Sequence, residues 1–161
     1  PQDPEIFAST ILGNITIGAQ YDRDTVRRFT DMACFTEVVD GLPKGFESAI
    51  NERGVNLSGG QKQRLALSRG LLACDNKEIV LLDEPTSSLD AVTEMRVYRN
   101  IFEGFPEKTI ISSVHRLHLL HLFDRVCMFE EGKLAASGTL AELLETSPAF
   151  ITLWNAAQEA R

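Results

Sequence analysis

Apolar positions along the chain follow two rhythms. Up to about residue 75 they recur at helical spacing. Ile11, Leu12 and Ile15 predict a short apolar helix over about 8–17. Val26, Phe29 and Ala33 fall on one side of an amphipathic helix predicted over about 23–33. Gly41-Leu42-Pro43-Lys44-Gly45 reads as a loop. Ser58 is a candidate N-cap for a helix running to about Ala73.

Past Asp75-Asn76 the rhythm changes. Ile79-Val80-Leu81-Leu82 is a continuous apolar run, which predicts a strand buried on both faces. Ala91–Phe102 reads as a helix, Lys108–Val114 as a second buried strand and Arg116–Phe123 as a short helix. Arg125–Phe129 and Lys133–Ala136 flank Glu130-Glu131-Gly132, the pattern of a hairpin. Thr139–Glu145 and Pro148–Ala160 close the chain as helices. Strands alternating with helices imply a parallel α/β layer with a hairpin at one side. Two regions result: 1–75, all-α, and 76–161, α/β.

Composition narrows the function. Hydrophobic residues make up 43% and charged residues 24% of the 161, which suits a packed core and argues against general disorder. The balance of 16 Lys and Arg against 23 Asp and Glu leaves a net charge of -7, adverse to binding nucleic acid. It leaves nucleotide binding open, since that needs only local donors and a metal. No apolar run approaches the about 20 residues that span a bilayer. Nor is there a secretory signal pattern. Cys34, Cys74 and Cys127 are far apart and outside any CxxC spacing, as for thiols in a reducing compartment. The sequence opens at Pro1-Gln2-Asp3-Pro4 without Met, and is expected to be a piece of a longer chain.

Four clusters carry candidate chemistry. In Leu57-Ser58-Gly59-Gly60-Gln61-Lys62-Gln63-Arg64, glycines beside a capping Ser open a helix. Free N–H groups and the positive end of the helix dipole make such a start a phosphate site. Taken alone, Ser-Gly-Gly also reads as a plain turn and cap. In Ile79–Pro85, an apolar strand delivers Asp83 and Glu84 at its C-terminal end, where open α/β sheets bind ligands. One carboxylate there suits a Mg²⁺ shell and the other suits orienting or deprotonating water. Asp90 follows Thr86-Ser87-Ser88-Leu89 and is equally a good helix N-cap. His115 lies just past the strand Lys108–Val114, where an imidazole can meet a phosphate oxygen or simply face an exit turn. His115, His118 and His121 do not suggest a metal site. On a helix the outer two diverge by about 120° and lie about 9 Å apart along the axis.

Together these clusters resemble the signature motif (Leu57–Arg64), Walker B (Leu81–Pro85), D-loop (Ser88-Leu89-Asp90) and switch histidine (His115) of ATP-binding cassette (ABC) ATPase domains. Gln2, in Pro1-Gln2-Asp3-Pro4-Glu5-Ile6-Phe7, matches that family's Q-loop. Order and spacing agree over essentially the whole chain. Glu52-Arg53-Gly54 and the tail Ser147-Pro148-Ala149-Phe150 to Gln158 look like the subclass of exporters with a fused membrane domain. Two departures leave the catalytic positions untouched. His118-Leu119 stands where the family usually has Ser-Thr, and Asn76-Lys77-Glu78 replaces the Pro common before Walker B.

The resemblance implies an α/β fold: part of a P-loop ATPase core, with a parallel sheet and C-terminal hairpin, plus an all-α signature subdomain. It implies ATP and Mg²⁺ as ligands. Asp83 and Gln2 would contact Mg²⁺, Gln2 would also meet the attacking water and sense the membrane domain, Glu84 would be the general base and His115 would grip the γ-phosphate. Ser58, Gly59, Gly60 and Gln61 would face the nucleotide of a second ABC ATPase domain docked head to tail, and Asp90 would couple the two sites. A transmembrane domain fused upstream would be the other partner. The place of action would be the cytoplasmic face of a membrane, with no nucleic acid and no structural metal. The family's phosphate loop, G-x-x-x-x-G-K-[ST], does not occur in these residues. In the family its strand lies between those matching Lys108–Val114 and Arg125–Phe129, so this segment alone is expected to expose apolar sheet and to associate. A soluble ABC ATPase and a non-catalytic nucleotide-dependent module are the alternative readings. The intact Glu84 and His115 argue against the second.

Overall fold

A computed structural model describes residues 4–50 and 56–159. Gln2 and Glu52-Arg53-Gly54 lie outside the described residues. The chain divides into two compact units, Pro1–Ser113 and Val114–Arg161. The change of rhythm at residue 75 is thus not where compactness divides the chain: the first strands and the helix between them belong with the helical half.

In the first unit, α1 (Ile11–Thr16), α2 (Arg23–Met32) and α3 (Thr36–Asp40) precede the long α4 (Gly59–Ala73). Asp22 caps α2 by accepting the Thr25 N–H at 2.8 Å. Val26, Phe29 and Ala33 are fully buried, as their spacing requires. α4 packs against both α1 and α2 through its buried Leu65, Leu67, Leu71 and Leu72. Phe29 and Phe35 are fully enclosed in this core. Truncating Phe29 to Ala would cost about 3–5 kcal/mol. α3 and the 3-10 turn Gly45–Glu47 were not legible as separate elements.

β1 (Ile79–Asp83) pairs in parallel with β2 (Thr109–Ser113), and α5 (Ala91–Gly104) connects them. The register sets Leu81 opposite Ile111 and Asp83 opposite Ser113. Val80 faces the core, with Leu82 and Ile110 partly buried against it. The expectation of two-sided burial fails. Ile79, Leu81 and Ile111 share the other face and are 57%, 73% and 57% exposed. A continuous apolar run marks strands meant for two covered faces. Here helices cover only one.

In the second unit, a 3-10 turn (Leu117–Leu122) leads to the antiparallel hairpin β3 (Val126–Glu130) and β4 (Lys133–Gly138). Glu131 and Gly132 both have positive φ, 48° and 76°, as the tight turn demands. Thr139 and Glu142 form a capping box that starts α6 (Leu140–Thr146), and α7 (Pro148–Glu159) follows. Leu120, Val126, Leu143 and Phe150 make this unit's core. Phe129 and Leu134, opposite each other in the hairpin, stay largely exposed. Each unit therefore has its own core and its own uncovered apolar strand face. Among the described residues no helix is long and apolar enough to cross a membrane.

Candidate functional site

The first unit assembles three of the predicted clusters. β1 ends in Asp83, an exposed carboxylate, followed by Glu84. Ser113, the last residue of β2, joins them: its hydroxyl donates to Asp83 Oδ1 at 2.7 Å, and its oxygen accepts the Glu84 N–H at 3.0 Å. Glu84 sits in the left-handed region at φ 44°, which for a non-glycine residue needs support from its surroundings. The backbone turns there, out of the strand and into the loop that reaches Asp90. The Glu84 carbonyl accepts the Ser87 N–H at 3.3 Å, and the Thr86 carbonyl accepts the Leu89 N–H at 3.0 Å. Thr86 is buried and donates to the buried carboxylate of Glu94 on α5 at 2.7 Å, so the loop is anchored from beneath.

Ser58 caps α4 as predicted. Its hydroxyl oxygen accepts the Gln61 N–H, and Gln61 Oε1 accepts the Ser58 N–H at 2.9 Å, a complete capping box. The N–H groups of Gly59 and Gly60 lie in the first turn and have no carbonyl within the helix to bond. With the helix dipole they give an exposed anion-accepting end. The two glycines are not equivalent. A Cβ on Gly59 would meet nothing within 4 Å, whereas one on Gly60 would lie 3.2 Å from both the Ser88 carbonyl oxygen and Leu89 Cδ2. Gly60 thus lets the turn after β1 lie directly against the start of α4.

Asp90 is the N-cap of α5 and accepts the N–H groups of Val92 and Thr93 at 3.1 and 3.0 Å. The backbone and side-chain hydrogen bonds from Thr93 hold its pKa below the ordinary value of 3.8. His115 belongs to the second unit, where it is exposed just ahead of the 3-10 turn. Gln2 lies outside the described residues. Pro4, two positions later, lines a cavity of about 170 Å³ together with Gln63, Asp83 and Glu84.

Sequence reasoning missed two participants. Ser113 was only part of a strand, because nothing local predicts a parallel register that sets it opposite Asp83. Gln63 stood within the quoted signature cluster without a role. It is 6% exposed and bonds the turn after β1. Its burial against that turn is a fact of packing that the sequence does not display.

The residues present fit a Mg²⁺ nucleotide. One exposed carboxylate with hard oxygens, its other positions left to water and phosphate, is the donor set Mg²⁺ accepts. Among the described residues no cluster of three or more His, Cys, Asp or Glu could hold a metal alone.

The family described as ABC transporter matches residues 1–87. The chain is 39% identical over 155 residues to the glutathione/L-cysteine transport system ATP-binding/permease protein CydC of Bacillus subtilis, covering 95% of this chain and 27% of that relative. It is 36% identical over 159 residues to the mitochondrial iron-sulfur clusters transporter atm1 of Aspergillus fumigatus, covering 97% of this chain and 22% of that relative. A solved bacterial Atm1-family ABC exporter with ATP bound superposes with a TM-score of 0.85 at 33% identity, over 97% of this chain and 27% of that one. The chain thus spans about a quarter of the length of these relatives. The carboxylate pair ending a parallel strand, the glycine-opened helix beside it and these similarities lead to one assignment: the chain belongs to the ABC transporter family.

Proposed function

We propose that this chain is the part of an ABC exporter's ATPase domain that bears the signature motif, the catalytic carboxylates and the switch histidine, and that it powers transport by ATP hydrolysis. The observation that carries this reading is the end of β1, where Ser113 binds both the Asp83 carboxylate and the Glu84 backbone. That arrangement holds the Asp83 carboxylate and the backbone that carries Glu84, which suits the two residues to different tasks. Phosphoryl transfer to water is mostly positioning and charge stabilisation, so fixed carboxylates are what it needs.

In this reading Asp83 and Gln2 would hold Mg²⁺. Mg²⁺, when bound, neutralises charge on the phosphate oxygens. Glu84 orients the attacking water and accepts its proton. His115 binds the γ-phosphate. The start of α4, with Ser58, Gly59, Gly60 and Gln61, faces the nucleotide of a second ATPase domain docked head to tail. Asp90 links the two sites. The regions 1–75 and 76–161 correspond to the signature subdomain and the later part of the ATPase core. The longer relatives are named as transporters and as ATP-binding/permease proteins. By analogy, a transmembrane domain in the same polypeptide is the mechanical partner, and the ATPase works at the cytoplasmic face.

The test is Glu84→Gln in the complete polypeptide that carries this segment. ATP turnover should fall by about 100-fold or more, because a general base contributes at least that much, while Mg²⁺-ATP binding persists. Unchanged turnover would sink the assignment.

A further inference from the structure

The Gln63 amide hydrogen-bonds three successive parts of one loop. Its Oε1 accepts the Ser88 N–H at 2.9 Å, and its Nε2–H groups donate to Ser87 Oγ at 2.9 Å and to the Glu84 carbonyl at 3.4 Å. The backbone N–H of Ser88 can only donate, so the amide orientation is fixed by its partners. Gln63 is 6% exposed and stands one turn after the glycines that open α4.

Glu84 holds a left-handed backbone at φ 44° with no glycine's freedom. Two side chains secure it. Ser113 takes its N–H from the β2 side, and Gln63 reaches its carbonyl from the α4 side. Gly60 lets the same loop approach α4 until a Cβ would sit 3.2 Å from the Ser88 carbonyl oxygen. The start of α4, the turn after β1 and the approach to Asp90 therefore form one hydrogen-bonded piece. A displacement at the exposed Ser58–Gly60 end has a direct path to Glu84.

We propose that Gln63 is a positioning residue that couples the glycine-opened start of α4 to Glu84, setting the aim of that carboxylate according to what the helix start has bound. This rests on the assignment of Glu84 as the base. Its amide acts through the Glu84 carbonyl, the Ser87 hydroxyl and the Ser88 N–H.

The test uses the complete polypeptide with Gln63→Met, which keeps length and removes the amide, with Ser87→Ala, and with the double variant. The rate is expressed per Mg²⁺-ATP-binding site, so that loss of folded protein does not count. Gln63→Met should lower kcat about tenfold with the KM for ATP within about twofold of the parent, the pattern of lost transition-state positioning. Ser87→Ala should lower kcat by about threefold, and the double variant should be no slower than Gln63→Met alone, because Ser87 acts through the same amide. Unchanged kcat per site in Gln63→Met, a rise in KM at constant kcat, or multiplicative losses in the double variant would each overturn the proposal. Should Gln63→Met not fold, unchanged kcat in Ser87→Ala overturns it alone. Glu84→Gln run alongside separates the two readings. Lost turnover there with unaffected Gln63→Met removes only the coupling role; unaffected turnover in Glu84→Gln removes both.

Discussion

Ser113 and Asp83 are register partners across β1 and β2, and the Ser113 hydroxyl donates to Asp83 Oδ1 at 2.7 Å. The same oxygen accepts the Glu84 N–H at 3.0 Å. One hydroxyl thus fixes the proposed metal-binding carboxylate and the backbone of the proposed base. Both depend on the parallel pairing that brings residue 113 beside residue 83.

Removing that hydroxyl should therefore impair two functions together. Ser113→Ala is expected to lower ATP turnover by about tenfold and to raise the Mg²⁺ concentration needed for half-maximal rate, as loss of a partner behind a metal ligand does. Ser113→Thr keeps the hydroxyl on a residue that suits a strand, and should restore most of the rate. A Mg²⁺ titration of turnover in the complete polypeptide reads both. Equal defects in the Ala and Thr variants would point to packing instead.

Asn14 ties the segment ahead of α1 to α4. It is fully buried; its Oδ1 accepts the Phe7 N–H at 2.8 Å and its Nδ2 donates to the Phe7 and Thr10 carbonyls. Arg69 of α4 adds bonds to the Asn14 and Glu5 carbonyls and packs its guanidinium over the Phe7 ring. Asn14→Ala removes its part-buried hydrogen bonds to the Phe7 and Thr10 backbone and should cost about 2–3 kcal/mol. The expected readings are a lower urea midpoint at unchanged slope and early proteolytic cleavage near Phe7.

How far the sequence carried can be judged from particular residues. The helices over Ile11–Thr16, Arg23–Met32 and Gly59–Ala73 followed from local spacing and caps, and so did the Glu131-Gly132 hairpin turn. The family followed from motif order. What did not follow were facts of the third dimension. The apolar run Ile79–Leu82 looks the same whether one face or two are covered. Helix α3 is only five residues long and gives periodicity too little length. The roles of Ser113 and Gln63 arise from a register and a helix–loop contact, which no window of sequence contains. Asp90 shows the opposite lesson. Its capping role was legible, and the structure gives the carboxylate that role whatever else it does.

That cap titrates. Hydrogen bonds from Thr93 and Val92 favour the ionised form of Asp90 and lower its pKa below 3.8. A carboxylate with a depressed folded pKa stabilises fully above its unfolded pKa, and the contribution disappears as pH falls through the folded value. Asp22, the N-cap of α2, and Glu142, which completes the capping box of α6, have pKa values lowered in the same direction by such hydrogen bonds. Stability should therefore decline as pH drops below the ordinary carboxylate range near 4. Asp90→Asn keeps a capping oxygen and removes the charge. Its unfolding midpoint should vary less with pH in that range than the parent's. A parallel decline in both would assign the acid sensitivity to other carboxylates.

Ile79, Leu81 and Ile111 form an exposed apolar strip on the outer face of a sheet that has two strands among the described residues. Water contact on that face forgoes stabilisation of about 25 cal/mol per Å² of apolar area. A two-stranded sheet also leaves backbone donors and acceptors unpaired along its outer edges. The isolated segment should therefore self-associate and bind an apolar dye such as ANS. Leu81→Ser with Ile111→Thr should reduce both effects, since it shortens the strip while Ile111→Thr keeps a strand-forming residue. In the complete polypeptide the same pair should instead destabilise, because there the strip would be covered and its loss would leave a cavity. Sedimentation velocity on the segment and thermal unfolding of the complete polypeptide give opposite signs if the face is a covered surface. Destabilisation absent from the complete polypeptide would mean that the strip meets water there too.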